Sequence, residues 1–315
     1  MILSTMNHTE GVPMDDYLKL ANVISRFGDA VEALLTHAFR YPFAAVSDAR
    51  LDCDADGEHR VTRSTQPLTN LAADQLRATV LQGDFHHGIA AGLSAPKVFF
   101  APYPVTRTCV ITAAKAWFIV SGATREERLQ RYLNEELAGL YDAPLNRADE
   151  ETNGHIDART DDLVEIGTSA GLRLGRRRRP RPHDAPYLVG ADQADEDQPA
   201  AETSIVRQLF AASGLSEHEA RMPYKLLSAA AHGRLHYAGV RESIPTGRHV
   251  NGVPTILMHS SPRTSAKVTA LAAIATRTHL RALARYVNAP ETAVQDRLGE
   301  PLVEWCAMGG VPLPV

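Results

Sequence analysis

The stretch "PYPVTRTCVITAAKAWFIVSG", which begins at Pro102, restricts the fold more than any other part of this chain. On a helix, Val105, Cys109, Ala113, Ala116, Trp117 and Val120 share one face, and Ile111, Phe118 and Ile119 cover much of the rest. A helix apolar nearly all round has no side suited to water and must lie inside a bundle. Gly122 is its expected end. Thr124 with Glu127 three residues on then forms a capping box for the next helix. Leu129, Tyr132, Leu133, Leu137, Leu140 and Tyr141 make its buried stripe, and Glu127 with Arg131 is a supportive four-residue ion pair. The two segments predict an antiparallel helical hairpin.

Similar periodicity predicts helices over 15–37, 70–81, a further stretch opening at "DFHHGIAAGL", 202–212, about 262–287 and 291–305. Ser216 with Glu219 forms a second capping box; Pro223 should kink or restart that helix and Gly233 should end it. Ser261 and Pro262 follow the cap-then-proline rule at the start of the long helix. Aromatic residues make up 6% of the chain and alanine is plentiful, which favours closely packed helices over sheets. The expected fold is therefore all-α, a multi-helix bundle forming one domain over 1–315.

Two interruptions are expected. Over 149–200, acidic residues, a helix expected over 161–174, the run "GRRRRPRPH" and then "DQADEDQPA" predict a charged, flexible insertion. Over 234–262 the chain should make an extended excursion, with "GVPTILMHS" a strand too isolated to build a sheet. "SDARLDCDADGEHRVTRSTQP" is polar enough to predict a turn-rich excursion, and the final "GGVPLPV" an unanchored tail.

A net charge of -4 gives no global case for nucleic acid or an anionic membrane. Cys53, Cys109 and Cys306 lie far apart, against a disulfide framework and in favour of a reducing compartment. The N-terminus lacks a basic region followed by an apolar run, and no apolar stretch is long enough to span a bilayer, so a cytoplasmic protein is expected. There is no nucleophile elbow, phosphate loop, dinucleotide fingerprint or HExxH, and no cofactor is implied.

The segment "YKLLSAAAHGRLHY" holds His232 and His236 four residues apart. Gly233 between them marks a helix terminus, so a shared metal is the weaker reading. A metal set of His86, His232 and His236 would need the "DFHHG" cluster to reach the same place. Arg176, Arg177, Arg178, Arg179 and Arg181 form a run able to contact phosphates, although acidic blocks flank it and no aromatics interleave it.

Three segments, "APYPVTRTCVITAAKAWFI", "TREERLQRYLNEEL" and "YKLLSAAAHGR", resemble a group of all-helical actinobacterial proteins that end a core helix in Ser-x-x-Ala-His-Gly. That group is distantly similar to helical bundles of the HEPN kind. The resemblance implies a helical fold and either a metal-independent ribonuclease or a non-catalytic partner. In the ribonuclease case His232 would be the acid–base, with Arg221, Lys225 or Arg234 stabilising phosphate charge. The catalytic HEPN pattern separates its arginine and histidine by four to six residues; here Lys225 occupies the six-residue position and Arg221 stands further back. The first expectation is accordingly a non-catalytic interaction protein that self-associates through its central helices or binds a protein partner, with RNA as an alternative ligand. A metal-dependent hydrolase built on the histidine clusters is the third.

Overall fold

The computed structural model describes residues 14–56, 66–95, 98–142, 150–179, 184–235 and 239–312. Ten α-helices and two small hairpin sheets appear among them. The helices are α1 (Met14–His37), α2 (Asp48–Ala55), α3 (Pro67–Ser94), α4 (Pro102–Val120), α5 (Arg125–Asp142), α6 (Glu150–Ser169), α7 (Glu202–Ala212), α8 (Met222–Ala231), α9 (Pro262–Tyr286) and α10 (Glu291–Gly309). The strands are β1 (Arg173–Leu174) with β2 (Leu188–Val189), and β3 (Glu242–Val250) with β4 (Val253–His259), both pairs antiparallel. The chain is thus an all-α multi-helix bundle, and no helix among the described residues is long and apolar enough to cross a membrane.

The centre is α4 packed along α9, with α3, α7 and α8 around α4 and with α10 against α9. Tyr103, Cys109 and Ala113 of α4 and Ala266, Ala270, Ala273 and Ala284 of α9 are all fully buried. Alanines along α9 let the two backbones approach closely, which is how a chain poor in aromatics still builds a dense core. The α4–α5 pair is antiparallel as expected. Lys115 pairs with Glu135 at 2.6 Å, and Arg131 covers the Phe118 ring at 4.1 Å nearer the turn. Glu127 accepts from Ala123 N–H at 2.8 Å while the Thr124 hydroxyl accepts from Glu127 N–H at 3.2 Å, a capping box displaced by one residue.

Several expectations are corrected. Gly83 does not separate two helices, because α3 runs unbroken through it. The α1–α3 crossing there constrains Gly28 of α1, whose Cβ would stand 3.3 Å from the Gly83 carbonyl oxygen and 3.0 Å from the His87 ring, while a Cβ on Gly83 would meet Glu32 Cγ at 3.0 Å. The first part of the polar stretch after Ser47 is the helix α2, capped by the Ser47 hydroxyl accepting from Arg50 N–H at 3.1 Å, and 57–65 lie outside the described residues. "GVPTILMHS" is not isolated; β3 pairs with it across Asn251–Gly252, both at positive φ, the signature of a tight hairpin turn. Gly309 lies against the Lys267 backbone and Val311 N–H bonds to the Cys306 carbonyl at 2.9 Å, so the tail is anchored as far as Val311, and 313–315 lie outside the described residues.

The stretch expected as a charged, flexible insertion carries regular structure where it is described. Ile156, Leu163 and Ile166 of α6 and Leu172, Tyr187 and Leu188 beyond it are buried. The Asn134 amide brackets Leu188, accepting from its N–H at 2.7 Å and donating to its carbonyl at 2.9 Å. These bonds to the Leu188 main chain dock the β1–β2 hairpin onto α5, while the Leu188 side chain packs against Gly167 of α6.

Helix α2 matters through Asp52, which is fully buried. Arg128 of α5 meets it with both fork nitrogens, Nε at 2.8 Å and Nη2 at 2.9 Å, and also donates to the Gly122 carbonyl at 3.1 Å. Tyr286 of α9 donates its hydroxyl to the same carboxylate at 3.1 Å. Removing one member of such a pair strands a buried charge and typically costs about 3–5 kcal/mol. Urea denaturation of Asp52→Ala should show a loss of that order, with Asp48→Ala, an exposed neighbour 3.7 Å from Arg128, as the mild control. A loss under about 1 kcal/mol for Asp52→Ala would mean that the pair is effectively solvated.

Candidate functional site

The histidines that attract attention in the sequence go to different places. His232 is exposed at the C-cap of α8. Gly233 follows at φ +70, its N–H bonds to the Ala230 carbonyl, and Arg234 N–H reaches back to Ala229 at 2.8 Å. This is a Schellman-type ending. It gives His232 the helix-terminus position that Gly233 implied, next to free carbonyls and the negative end of the helix. Arg221 precedes α8 in a short 3-10 turn, exposed and paired with Glu217 at 2.6 Å. Pro223 restarts the helix as expected. Lys225 and Arg221 share a shallow cavity of about 230 Å³ with Arg207, Ser204 and Tyr224. His232 does not line it, and stands seven residues or about 10 Å of helix rise beyond Lys225. Arg234 is exposed past the helix end. His236 lies outside the described residues.

His86 is sealed in the core, the opposite of a site that meets His232. Its Nε2 is 3.1 Å from the Thr276 hydroxyl and 3.9 Å from the Cys109 thiol. The rings of Phe27 and Trp305 stand edge-on to it at 4.8 Å and 5.7 Å. Its Nδ1 meets no hydrogen-bond partner among the described residues. Burial, with a smaller contribution from His87, pushes its pKa down to about 3. The Cys109 thiol is pushed up to about 12 by the same burial, which leaves it a small hydrophobe and not a nucleophile. His87 points outward, 3.4 Å from Glu32 and 3.7 Å from Asp29. The adjacent histidines therefore separate, and among the described residues no three His, Cys, Asp or Glu side chains group as a metal-ligand set.

A second buried histidine drew no notice in the sequence. His279 of α9 lies between two glutamines of α3: Nε2 is 3.2 Å from Gln75 Oε1, and Nδ1 is 2.9 Å from Gln82 Nε2. A neutral ring that donates from Nε2 and accepts at Nδ1 satisfies both contacts. Desolvation holds its pKa near 3. Gln75, Gln82 and His86 follow a seven-then-four spacing along α3, which places them on one face; the sequence held that pattern, but nothing in it showed that His279 lies opposite. A further buried polar group joins Tyr103 to Ser265 at 3.2 Å and to Ser260, beneath the β4–α9 junction.

The arginine run lies beside β1 and β2. Arg176, Arg177 and Arg178 line an open surface cavity of about 580 Å³ with Asp184, Tyr187 and Glu196, and Arg179 lines an adjoining one with Asp184. Arg178 pairs with Glu196, Arg177 lies 3.6 Å from Asp184, and Arg177 also covers the Tyr187 ring at 5.3 Å. The acidic block that follows the run in sequence thus folds back to neutralise part of it. Arg181 lies outside the described residues.

Comparison with protein-family models, with curated proteins and with solved structures found no match for this chain.

The two core histidines give a pH prediction. Each has its folded pKa lowered below the unfolded value near 6.5, so below pH 6.5 the unfolded chain takes up protons that the fold refuses. Stability should fall with pH between about 6.5 and 3, by about 2 kcal/mol per histidine at pH 5. Urea midpoints measured from pH 7 to pH 5 should show this slope, and His279→Gln should flatten part of it. A slope unchanged in that variant would contradict a neutral, buried His279.

Proposed function

We propose that this protein is a non-catalytic helical interaction protein that associates with a second copy of itself. The observation that carries the reading is where the reactive side chains sit. His86, His279 and Cys109 are enclosed in the core, while Arg221 before α8, Lys225 on it and His232 at its C-cap are spread over the surface. Neither arrangement brings an acid–base group, a charged stabiliser and a cleft to one point, as catalysis requires. The buried polar groups instead join helices: Asp52 joins α2, α5 and α9, and His279 joins α9 to α3.

Self-association has a surface to use other than α4, whose apolar sides are taken up within the chain. Tyr41, Val46 and Leu51 are exposed at 70%, 77% and 48% in the short stretch leading into and along α2. Large apolar side chains left in water are the material of contact surfaces, and these three supply the one proposed here.

Two measurements test the reading. Size-exclusion chromatography with light scattering should give a particle of two chains at micromolar concentration, and Val46→Glu should return it to one chain; a wild type that is strictly monomeric contradicts the proposal. Incubation with total RNA should leave the RNA intact. Cleavage by the wild type that is lost in His232→Ala would instead establish the ribonuclease that the HEPN resemblance implies.

A further inference from the structure

Helices α7 and α8 meet over the shallow cavity of about 230 Å³ that holds Arg221 and Lys225. Thr203, Ser204 and Arg207 of α7 line one side of it, and Arg221, Tyr224 and Lys225 line the other. Thr203 and Arg207 stand four residues apart, as do Arg221 and Lys225, so each pair shares one face of its stretch. Three cations thus gather from two elements, and no carboxylate is among the described residues that line the cavity. The acids nearby are already engaged. Glu217 pairs with Arg221 at 2.6 Å, and its carboxyl is held below the usual range by the hydrogen bond and charge of Arg221, then by the charge of Arg207. Glu202 accepts from the Tyr224 hydroxyl at 3.0 Å and lies 3.4 Å from Arg107 of α4. Glu219 accepts from the Ser216 N–H at 3.0 Å and from its hydroxyl, and the charge that reaches it is that of His218. Arg207 and Lys225 form no ion pair or hydrogen bond of their own. With Arg107 set against Glu202 and Arg221 against Glu217, those two cations leave a double positive excess.

The polar groups of the wall are donors. The Tyr224 hydroxyl is used in full, donating to Glu202 and accepting from Arg107 at 3.3 Å. The Ser204 hydroxyl accepts from Gln208 at 3.2 Å and keeps its own proton to give, and the Thr203 hydroxyl has no partner. Guanidinium forks, an ammonium and two hydroxyls converge from two helices. Such a set suits the several oxygens of a tetrahedral anion better than the two in-plane oxygens of a carboxylate. An excess of two matches a dianion. The volume lies below the roughly 300 Å³ at which sites for drug-sized ligands begin, so the cavity takes one charged group and leaves anything attached to it in water. No histidine is among the described residues that line it, so a group held here meets no acid–base partner, and the site is one of binding rather than turnover.

We propose that the α7–α8 cavity binds a phosphate dianion, supplied either as inorganic phosphate or as the phosphate of a small organic ester. The inference rests on the cavity alone and stands apart from the self-association reading.

The test titrates the full chain by calorimetry at constant ionic strength, with sodium phosphate in one arm and glycerol phosphate in the other. Saturable binding of one ligand per chain is expected in at least one arm. Phosphate bound as tightly as the ester identifies the free ion, and tighter binding of glycerol phosphate identifies an ester. Arg207→Gln and the exposed Lys225→Gln should each weaken binding at least about ten-fold, the size of one lost charge-assisted contact. Glu217→Gln should tighten it by releasing Arg221. Arg234→Gln, exposed past the end of α8 and away from the wall, should leave it unchanged. Far-UV circular dichroism checks the fold of each variant, and Lys225→Gln decides the matter if Arg207→Gln does not fold. No saturation in either arm at millimolar ligand would overturn the proposal. So would an affinity that the folded cavity variants leave unchanged, or that Arg234→Gln lowers as much as they do.

Discussion

The bidentate ion pair between Asp52 and Arg128 is the constraint on which most of the arrangement hangs. Two opposite charges with almost no access to water are tolerable only if their remaining polar atoms are also met. Here the Tyr286 hydroxyl and the Gly122 carbonyl supply those contacts. That requirement fixes α2 against α5, ties both to the end of α9, and explains why the turn before α5 needs a glycine. A Cβ at position 122 would stand 2.9 Å from Arg128 Cγ. An eight-residue helix with one polar face would otherwise have little reason to hold its place.

Much of this bundle was legible in the sequence, and its errors have a common cause. Periodicity found α1, α4, α5, α7 and α9 because each buries a long apolar stripe. Caps and glycines placed the end of α8 and the restart at Pro223. Helix α2 was missed because its stability comes from a charge that only a partner 76 residues away makes sense of. Gly83 looks like an interruption because local propensity counts glycine against a helix, whereas the cost of one glycine is small beside the packing of a 28-residue helix. The β3–β4 hairpin was legible and passed over: Asn251–Gly252 between two extended runs is among the strongest short-range turn signals.

The candidate residues divide in the same way. His232 was placed correctly at a helix end, since capping chemistry is local. The distribution of polar groups inside the core was not legible, because His86 and His279 acquire their meaning from Thr276, Gln75 and Gln82 across helix boundaries. The surface arginines illustrate the converse. The run at 176–179 is conspicuous in sequence yet answered in part by its own acidic neighbours, while Arg277, Arg281 and Arg285 are dispersed in sequence and gathered by a helix.

The glycine crossing of α1 and α3 also sets the orientation of the N-terminal helix. Where two backbones touch, the surface of α1 has a single notch, and turning the helix by one residue moves it about 100° around the axis. Phe27 or Asp29 would then face the α3 main chain, one too bulky and the other charged. The crossing works as a keyway: it leaves α1 one angular setting, and that setting delivers Phe27 to the His86 and Trp305 rings.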